Sequence, residues 1–447
     1  MLKAGMAALA LLAWAWALPA SAAKPSFVVI MGDDLGVSQM RAMRNVRTLV
    51  EKAGTVFKRA YVEAPICSPS RATLYSGRFA HNHGVVSTNT SGTTIRPLED
   101  DTLAVRMQAA GYRTAFLGKY MNKYRGDYTP PGWSRWRGFV DTVSYQGSVV
   151  VRGEIIRVPG YSDAWMRDRS AEIVRSTPPD TPLLLVIAPT APHLPHIAPP
   201  RHAGLHAGTS VPRTAAFNEA DVSDKPAIFR DPLLTPTQVQ NLDNSFAASL
   251  DQLQLVDEIV SKVHDALRDT GRLDSTYIIF TSDNGIHFGQ HRQVEDKTHP
   301  WETDIRVPFL VRGPGVPVRV DRRTLIANAD TPVTLLDLAG LSAAGMDGTS
   351  YAAALRGGTG RRTAVPIAHW DQLPDYRLKW KGVRTDRYTW VQYREGATML
   401  YDNEADPEQL ENLAALPSTA DLRARLAAVT DQLASCVGPA ACRGPAP

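Results

Sequence analysis

The chain has 447 residues, 44% apolar and 21% charged, with 49 Lys+Arg against 45 Asp+Glu. At about 150 residues per domain it allows two or three domains, and these proportions exclude a disordered, collagen-like or multi-span membrane chain. A net charge of +4 is too small and too dispersed to argue for nucleic acid as a partner, and it suits an anionic small substrate.

Lys3, an apolar run over 6–18 and the small residues Ala20-Ser21-Ala22 read as a secretory signal over residues 1–22, cleaved near Ala22-Ala23. The run is shorter than the ~20 residues of a spanning helix and Pro19 breaks it, so no stable membrane anchor is expected after cleavage. The mature protein is then expected to be exported, periplasmic or secreted, where thiols meet an oxidising compartment. Of three cysteines, Cys436 and Cys442 are near enough to close a short loop, which leaves Cys67 unpaired.

Continuous apolar runs at 26–31, 114–117, 183–188, 277–281 and 307–311 predict strands buried on both faces. Helical patterns occupy 39–53 and 102–110, each followed by a glycine, Gly54 and Gly111. A longer one covers 236–269, where apolar residues from Val239 to Leu267 recur at spacings of three and four. The alternation predicts an α/β fold, a large mostly parallel sheet sandwiched by helices, with the chemistry at the carboxyl ends of the strands. Residues 189–200 and 202–232 read as loops. Beyond about residue 360, short strands at 379–384, 388–393 and 398–401 and an amphipathic helix at 420–433 predict a small antiparallel sheet with one helix. The expected organisation is a signal over 1–22, a catalytic domain over 24–360 and a small C-terminal subdomain over 361–447.

Asp33 and Asp34 follow the first strand directly, and Asp283 and Asn284 follow the 277–281 strand in the same way. Taken singly, each pair also fits an ordinary turn. Together, three carboxylates and one amide would crowd negative charge unless a cation sits between them. An all-oxygen donor set suits calcium, with magnesium as the alternative, and does not suit zinc. Cys67 opens the segment Cys67-Ser68-Pro69-Ser70-Arg71, in which Ser68 is a good helix cap, Pro69 suits the first helical position and Gly77 can end the helix. The thiol is thus expected just ahead of a helix N-terminus, where free amides favour an anion, with Arg71 in reach. A lone cysteine is more often an inert buried thiol; these surroundings are unlike an inert site.

These residues resemble the type I sulfatases of the alkaline phosphatase superfamily. Cys67-Ser68-Pro69-Ser70-Arg71 matches the family's Cys-x-Pro-x-Arg maturation signature, and residues 74–78 match its continuation. The resemblance covers about residues 25–412. It implies that a formylglycine-generating enzyme oxidises Cys67 to formylglycine, and that Asp33, Asp34, Asp283 and Asn284 bind Ca2+ with position 67 as a further ligand. It also implies that Lys119, in Gly118-Lys119-Tyr120, and Lys297 hold the sulfate with Arg71, and that His193, in Ala191-Pro192-His193-Leu194-Pro195, contacts the leaving group. Segments 118–122, 131–136, 282–290 and 307–315 are most similar to N-acetylglucosamine-6-sulfatases and related heparan-sulfate sulfatases.

The chemistry is consistent with that resemblance. Cations fix a sulfate ester and stabilise the charge that develops on its oxygens. One hydroxyl of an aldehyde hydrate attacks sulfur while His193 protonates the departing oxygen, and the second hydroxyl then allows sulfate to be expelled. Many arylsulfatases carry a histidine two residues after the lysine of the Gly-Lys motif; here that position is Met121, followed by Asn122. Asn122 is expected to contact substrate, while His287 and His291 are candidates either for the base of the elimination step or for substrate contact. His81 and His83 read as an exposed loop rather than a metal pair, and Trp133, Trp136 and Trp301 as packing residues. The expected activity is hydrolysis of a carbohydrate sulfate ester. The alternatives are a formylglycine-dependent phosphonate or phosphodiester hydrolase, or a non-catalytic binder of sulfated glycans in which Cys67 stays a thiol.

Overall fold

The computed structural model describes residues 24–140, 146–372 and 375–445; the predicted signal lies outside them. Its strands, in chain order, are β1 Ser26–Gly32, β2 Thr55–Tyr61, β3 Arg113–Gly118, β4 Arg135–Val140, β5 Ser148–Val151, β6 Glu154–Arg157 and β7 Leu183–Ala188. They continue with β8 Thr276–Ser282, β9 Leu310–Arg312, β10 Val320–Ala327, β11 Ala364–Trp370, β12 Leu378–Thr385, β13 Tyr388–Tyr393 and β14 Thr398–Asp402. The main helices are α1 Cys67–Ser76, α2 Leu103–Ala109, α3 Ser162–Arg175, α4 Pro236–Asp269, α5 Asp330–Leu338 and α6 Ala420–Leu433.

Strands β1 to β10 form one sheet in the order β10-β2-β9-β8-β1-β7-β3-β4-β5-β6. The central five, β8-β1-β7-β3-β4, are mutually parallel; β9 runs against both of its neighbours, and so does β5. The α/β sandwich expected from the alternating pattern is therefore present. Alternate residues of β1 enter separate cores. Phe27, Val29 and Met31 pack with Ala72 and Leu74 of α1 and Leu335 of α5, whereas Val28 and Ile30 pack with Phe246, Leu250 and Val256 of α4. Helices thus cover both faces. Helix α4 spans the range its periodicity predicts, opened by a reciprocal Thr235–Gln238 capping box with Pro236 in its first turn.

Three local readings change. The continuous helix expected over 39–53 is a 3-10 turn Val37–Ala42, an α turn Arg44–Val46 and a π turn Arg47–Glu51. The Asp257 carboxylate of α4 accepts from the amides of Asn45 and Val46 at 2.9 and 2.8 Å, so the helix restarts there with a cap borrowed from another element. The 307–311 run is a strand only over Leu310–Arg312, and it is antiparallel, because Pro308 has no amide to give to a ladder. Charge dilutes the apolar pattern of β2 and β10, through Lys58 and Arg59 in one and Asp321, Arg322 and Arg323 in the other. That pattern suits strands toward the solvated edge of a sheet, and it hid both from sequence reading.

The second sheet is antiparallel in the order β11-β12-β13-β14, with α6 packed on it. Its first strand, β11, was not anticipated. Trp380, Val383 and Leu400 of this sheet share a core with Tyr61, Phe229 and Trp301 of the main body. Cys436 and Cys442 form a disulfide.

Candidate active site

Strand register builds the site. Gly32 of β1 pairs with Ser282 of β8, so the next residue on each strand, Asp33 and Asp283, emerges at the same carboxyl edge, tied by Asp283 N donating to Gly32 O at 3.1 Å. Gly118 of β3 pairs with Ala188 of β7, which brings Lys119 and the 189–193 loop to that edge. Gly118 has φ 109°, and a Cβ there would lie 2.0 Å from Ala188 O. Only glycine lets the two backbones approach so closely.

Helix α1 is buried along its whole length and ends at Gly77 in the left-handed conformation. It starts at Cys67 itself, after Ile66, rather than at Pro69. Ser68 is drawn away from capping by Asn122: its hydroxyl donates to Asn122 Oδ1 at 2.7 Å and accepts from Asn122 N at 3.0 Å. Cys67 is therefore in the first turn and not ahead of it, still beside unpaired helix amides.

The thiol faces a knot of buried charge. Cys67 Sγ lies 3.5 Å from Asp33 Oδ1 and 3.9 Å from Asp34 Oδ1, and Lys297 Nζ reaches it at 3.1 Å. Lys297 also pairs with Asp34. Lys119 Nζ pairs with Asp33 Oδ2 at 2.6 Å. Arg71 binds Asp283 through Nε at 2.8 Å and approaches Asp33 at 3.7 Å, while its Nη1 donates to Lys119 O. Asn284 Nδ2 donates to Asp34 Oδ1 at 2.7 Å. His193 is 29% exposed at the mouth, with Nε2 3.6 Å from Asp34 Oδ2. Cys67, Arg71, Lys119, His193, Lys297, Asp33, Asp34, Asp283 and Asn284, drawn from six distant segments, thus converge.

Burial opposes ionisation of Asp33, yet Lys119, His193, Arg71 and Lys297 outweigh it and hold the carboxyl below its usual range. Asp34 is lowered in the same way, chiefly by Lys297 and His193 against burial. Burial wins at Asp283, whose carboxyl is raised despite Arg71. Burial disfavours a charged His193 ring, but Asp33 and Asp34 overcome it and raise its pKa to about 9.

Arg71, Lys119 and Lys297 match the three carboxylates in number, with His193 beside them, so a bound divalent ion would leave a positive excess for an anionic substrate. The donor set fits such an ion. Asp33, Asp34 and Asp283 offer oxygens within 4.8 Å of one another, and Asn284 Oδ1 is buried with no hydrogen-bond partner. Carboxylate and amide oxygens suit a hard cation.

The remaining candidates lie apart. His287, 1% exposed, is held through Nδ1 by Asp304 at 3.0 Å. His291, 2% exposed, is held by Glu219 at 2.6 Å and stacks on Trp301 with ring centroids 3.9 Å apart. Asn122 borders the site through Ser68. The expectation of an exposed loop at His81 and His83 is corrected. They lie on a helical turn, Ala80–His83, where His83 is buried and within 3.0 Å of Thr73 Oγ1, and His81 contacts Cys436 O. Trp136 and Trp301 are buried in aromatic clusters, as expected of packing residues.

Sequence reading missed Asp163. From α3 this buried side chain accepts from Thr190 N at 3.1 Å and Ala191 N at 3.0 Å, fixing the loop that carries His193. Nothing in its sequence neighbourhood marks it. Asp304, which holds His287 and the amide of His299, was missed for the same reason.

Residues 25–341 match the Sulfatase family, and residues 289–435 match the C-terminal region of N-sulphoglucosamine sulphohydrolase. The chain belongs to the sulfatase family, sulfuric ester hydrolases that generally use a formylglycine and a divalent metal. It is 33% identical over 344 residues to the extracellular sulfatase SULF-1 homolog of Drosophila melanogaster, across 73% of this chain but only 31% of that protein. It is 31% identical over 480 residues to the N-acetylglucosamine-6-sulfatase of Homo sapiens, across 94% of this chain and 86% of that one. A protein solved in complex with its substrate D-glucosamine-2-N,6-O-disulfate superposes with a TM-score of 0.81 at 21% identity, covering 91% of this chain and 97% of that one. No helix among the described residues is long and apolar enough to cross a membrane.

Proposed function

We propose that the protein is an exported hydrolase of a sulfate ester on a carbohydrate, of the N-acetylglucosamine-6-sulfate kind, using formylglycine made from Cys67 and Ca2+. The observation that carries the reading is the unpaired Cys67 in the first turn of α1, facing three carboxylates, two lysines and an arginine. The names of the glucosamine-sulfatase relative and of the disulfated glucosamine complex support the sugar, and the extracellular relative supports export.

Asp33, Asp34, Asp283 and the buried Asn284 Oδ1 would hold the calcium ion, with position 67 as a further ligand. When bound, the ion polarises a sulfate oxygen and acidifies a hydroxyl at position 67. An aldehyde hydrate at position 67 would offer two hydroxyls, whereas an ordinary thiol or alcohol has only one group to offer. Lys119 and Lys297, already within bonding distance of the Asp33 and Asp34 carboxylates, clamp the remaining sulfate oxygens and stabilise charge in the transition state. Arg71 holds Asp283 in place through its Nε contact at 2.8 Å. His193, at the mouth of the site, donates from Nε2 to the departing sugar oxygen while its Nδ1 is anchored on Leu194 O at 2.6 Å. Asn122, locked by Ser68, borders the sugar. His287 and His291, buried and carboxylate-bound, brace the loop after Asn284.

Mass spectrometry of the intact peptide across Cys67, in protein made with a formylglycine-generating enzyme, should show a residue lighter than cysteine, and Cys67→Ala should abolish turnover on a sulfated-sugar panel. An unmodified thiol in fully active protein, or full activity in Cys67→Ala, refutes the proposal. A higher kcat/KM on aryl phosphodiesters than on any sulfate ester would select the phosphodiesterase reading.

A further inference from the structure

Beside the catalytic knot lies a second feature that the reaction does not use. A cleft of about 660 Å3 is lined by Asn89, Thr90, Thr93, Lys123 and Arg125, and Lys123 directly follows Asn122, which is bonded to Ser68 next to Cys67. That volume is in the range of small-ligand sites. Its walls are built into the site. Asn122 N donates to Ser68 Oγ at 3.0 Å, and Ser91 Oγ donates to Asn122 O at 2.7 Å. Lys123 has φ 61°, and its carbonyl packs so closely on Gly92 that a Cβ there would approach within 2.3 Å. The far wall is fixed to the segment after β11, since Thr88 N and Asn89 Nδ2 donate to Gln372 at 2.9 and 3.0 Å.

The charge of this cleft is one-sided. Among the described residues no carboxylate lines it, and Lys123 and Arg125 take part in no ion pair, unlike nearby Arg96, which is matched by Asp127 at 2.8 Å. Another basic cleft, around Lys58, Arg59, Arg323 and Arg384, differs in that its own lining carries carboxylates, Asp321, Asp386 and Glu302, which pair with Lys58, Arg59 and Arg384. Two unpaired cations with flanking hydroxyl and amide groups suit a saccharide that bears an anion.

We propose that this cleft is the subsite for the sugar adjoining the sulfated one, and that Lys123 and Arg125 bind a carboxylate or sulfate on that neighbour. The inference rests on the carbohydrate-sulfatase reading above and narrows the substrate to an anionic oligosaccharide. The test compares the matured wild type with Lys123→Ala/Arg125→Ala on four substrates. These are the sulfated monosaccharide and the same sugar linked to a uronic acid, to a sulfated hexosamine or to a neutral hexose. The variant should lose about tenfold in kcat/KM, through KM, on one or both charged disaccharides, and stay within about twofold of wild type on the other two. Which charged substrate suffers identifies the anion. Equal losses on all four, or none on any, overturn the proposal. If the wild type hydrolyses none of the four, the parent reading fails separately. Calorimetric binding of the unsulfated uronic-acid disaccharide then decides the subsite: weaker binding to the variant supports it, and equal binding, or none to either protein, overturns it.

Discussion

Asp163→Asn probes the support of the His193 loop, and its effect can be worked out from the structure. Asp163 is buried on α3, with Oδ1 accepting from Thr190 N and Oδ2 from Ala191 N. Burial, only partly offset by these hydrogen bonds, raises its pKa from 3.8 to about 6. A carboxyl whose folded value exceeds its unfolded one holds its proton more tightly in the native state. Its stabilisation is therefore complete below pH 3.8 and is lost as pH rises through about 6. A shift of roughly two units corresponds to about 3 kcal/mol. The asparagine variant lacks this titration but sets an amide NH2 against one backbone N–H, a pH-independent cost of about 1–3 kcal/mol. Urea unfolding of both proteins between pH 4 and pH 7.5 should show the variant less stable at pH 4, with the gap narrowing by up to about 3 kcal/mol toward neutral pH. A difference between the two proteins that stays constant across that range would refute the assignment of a raised, buried carboxyl.

Arg71→Ala leaves Asp283 and Asp33 buried without their guanidinium and should cost about 3–5 kcal/mol in chemical unfolding. Arg71→Lys should not restore activity, because one ammonium cannot serve both Asp283 and Lys119 O; recovery above half of wild-type kcat would contradict this. Chelation should abolish turnover and lower Tm, and calcium at about 100 times its Kd should return about 2.7 kcal/mol of stability; unchanged Tm and activity after exhaustive dialysis against chelator would remove the metal from the site. Gly118→Ala forces a Cβ to within 2.0 Å of Ala188 O at φ 109°, a backbone strain of at least about 1–3 kcal/mol. It should lower Tm and displace Lys119, so a variant with wild-type Tm and KM would show that the two strands can part.

Much was written locally in the chain. Apolar runs gave β1, β3, β7 and β8, because strands buried on both faces must be continuously apolar, and apolar residues at spacings of three and four gave α4 because one face of a long helix meets the sheet. Asp33, Asp34, Asp283 and Asn284 were legible because they directly follow strands, and Cys67 and Arg71 because they open a helix, where short-range geometry is tightly constrained. His193 and Lys297 lie in loops and, like the role of Lys119, were legible only through the family resemblance. Sequence did not reveal what depends on partners from elsewhere. The broken helix over 39–53 is set by Asp257, some 200 residues away, and Ser68 gives up its cap to Asn122. His287, His291 and Asp163 look alike in sequence to any buried or exposed polar residue, and only packing decides which carboxylate or amide each one meets. Parallel pairing of Gly32 with Ser282 and Gly118 with Ala188 is likewise a long-range choice. Residue types determined which chemistry was available; the sheet register determined that three carboxylates, three cations and one thiol share a single buried volume, since charges so far apart in sequence acquire a common field only when the strands are aligned.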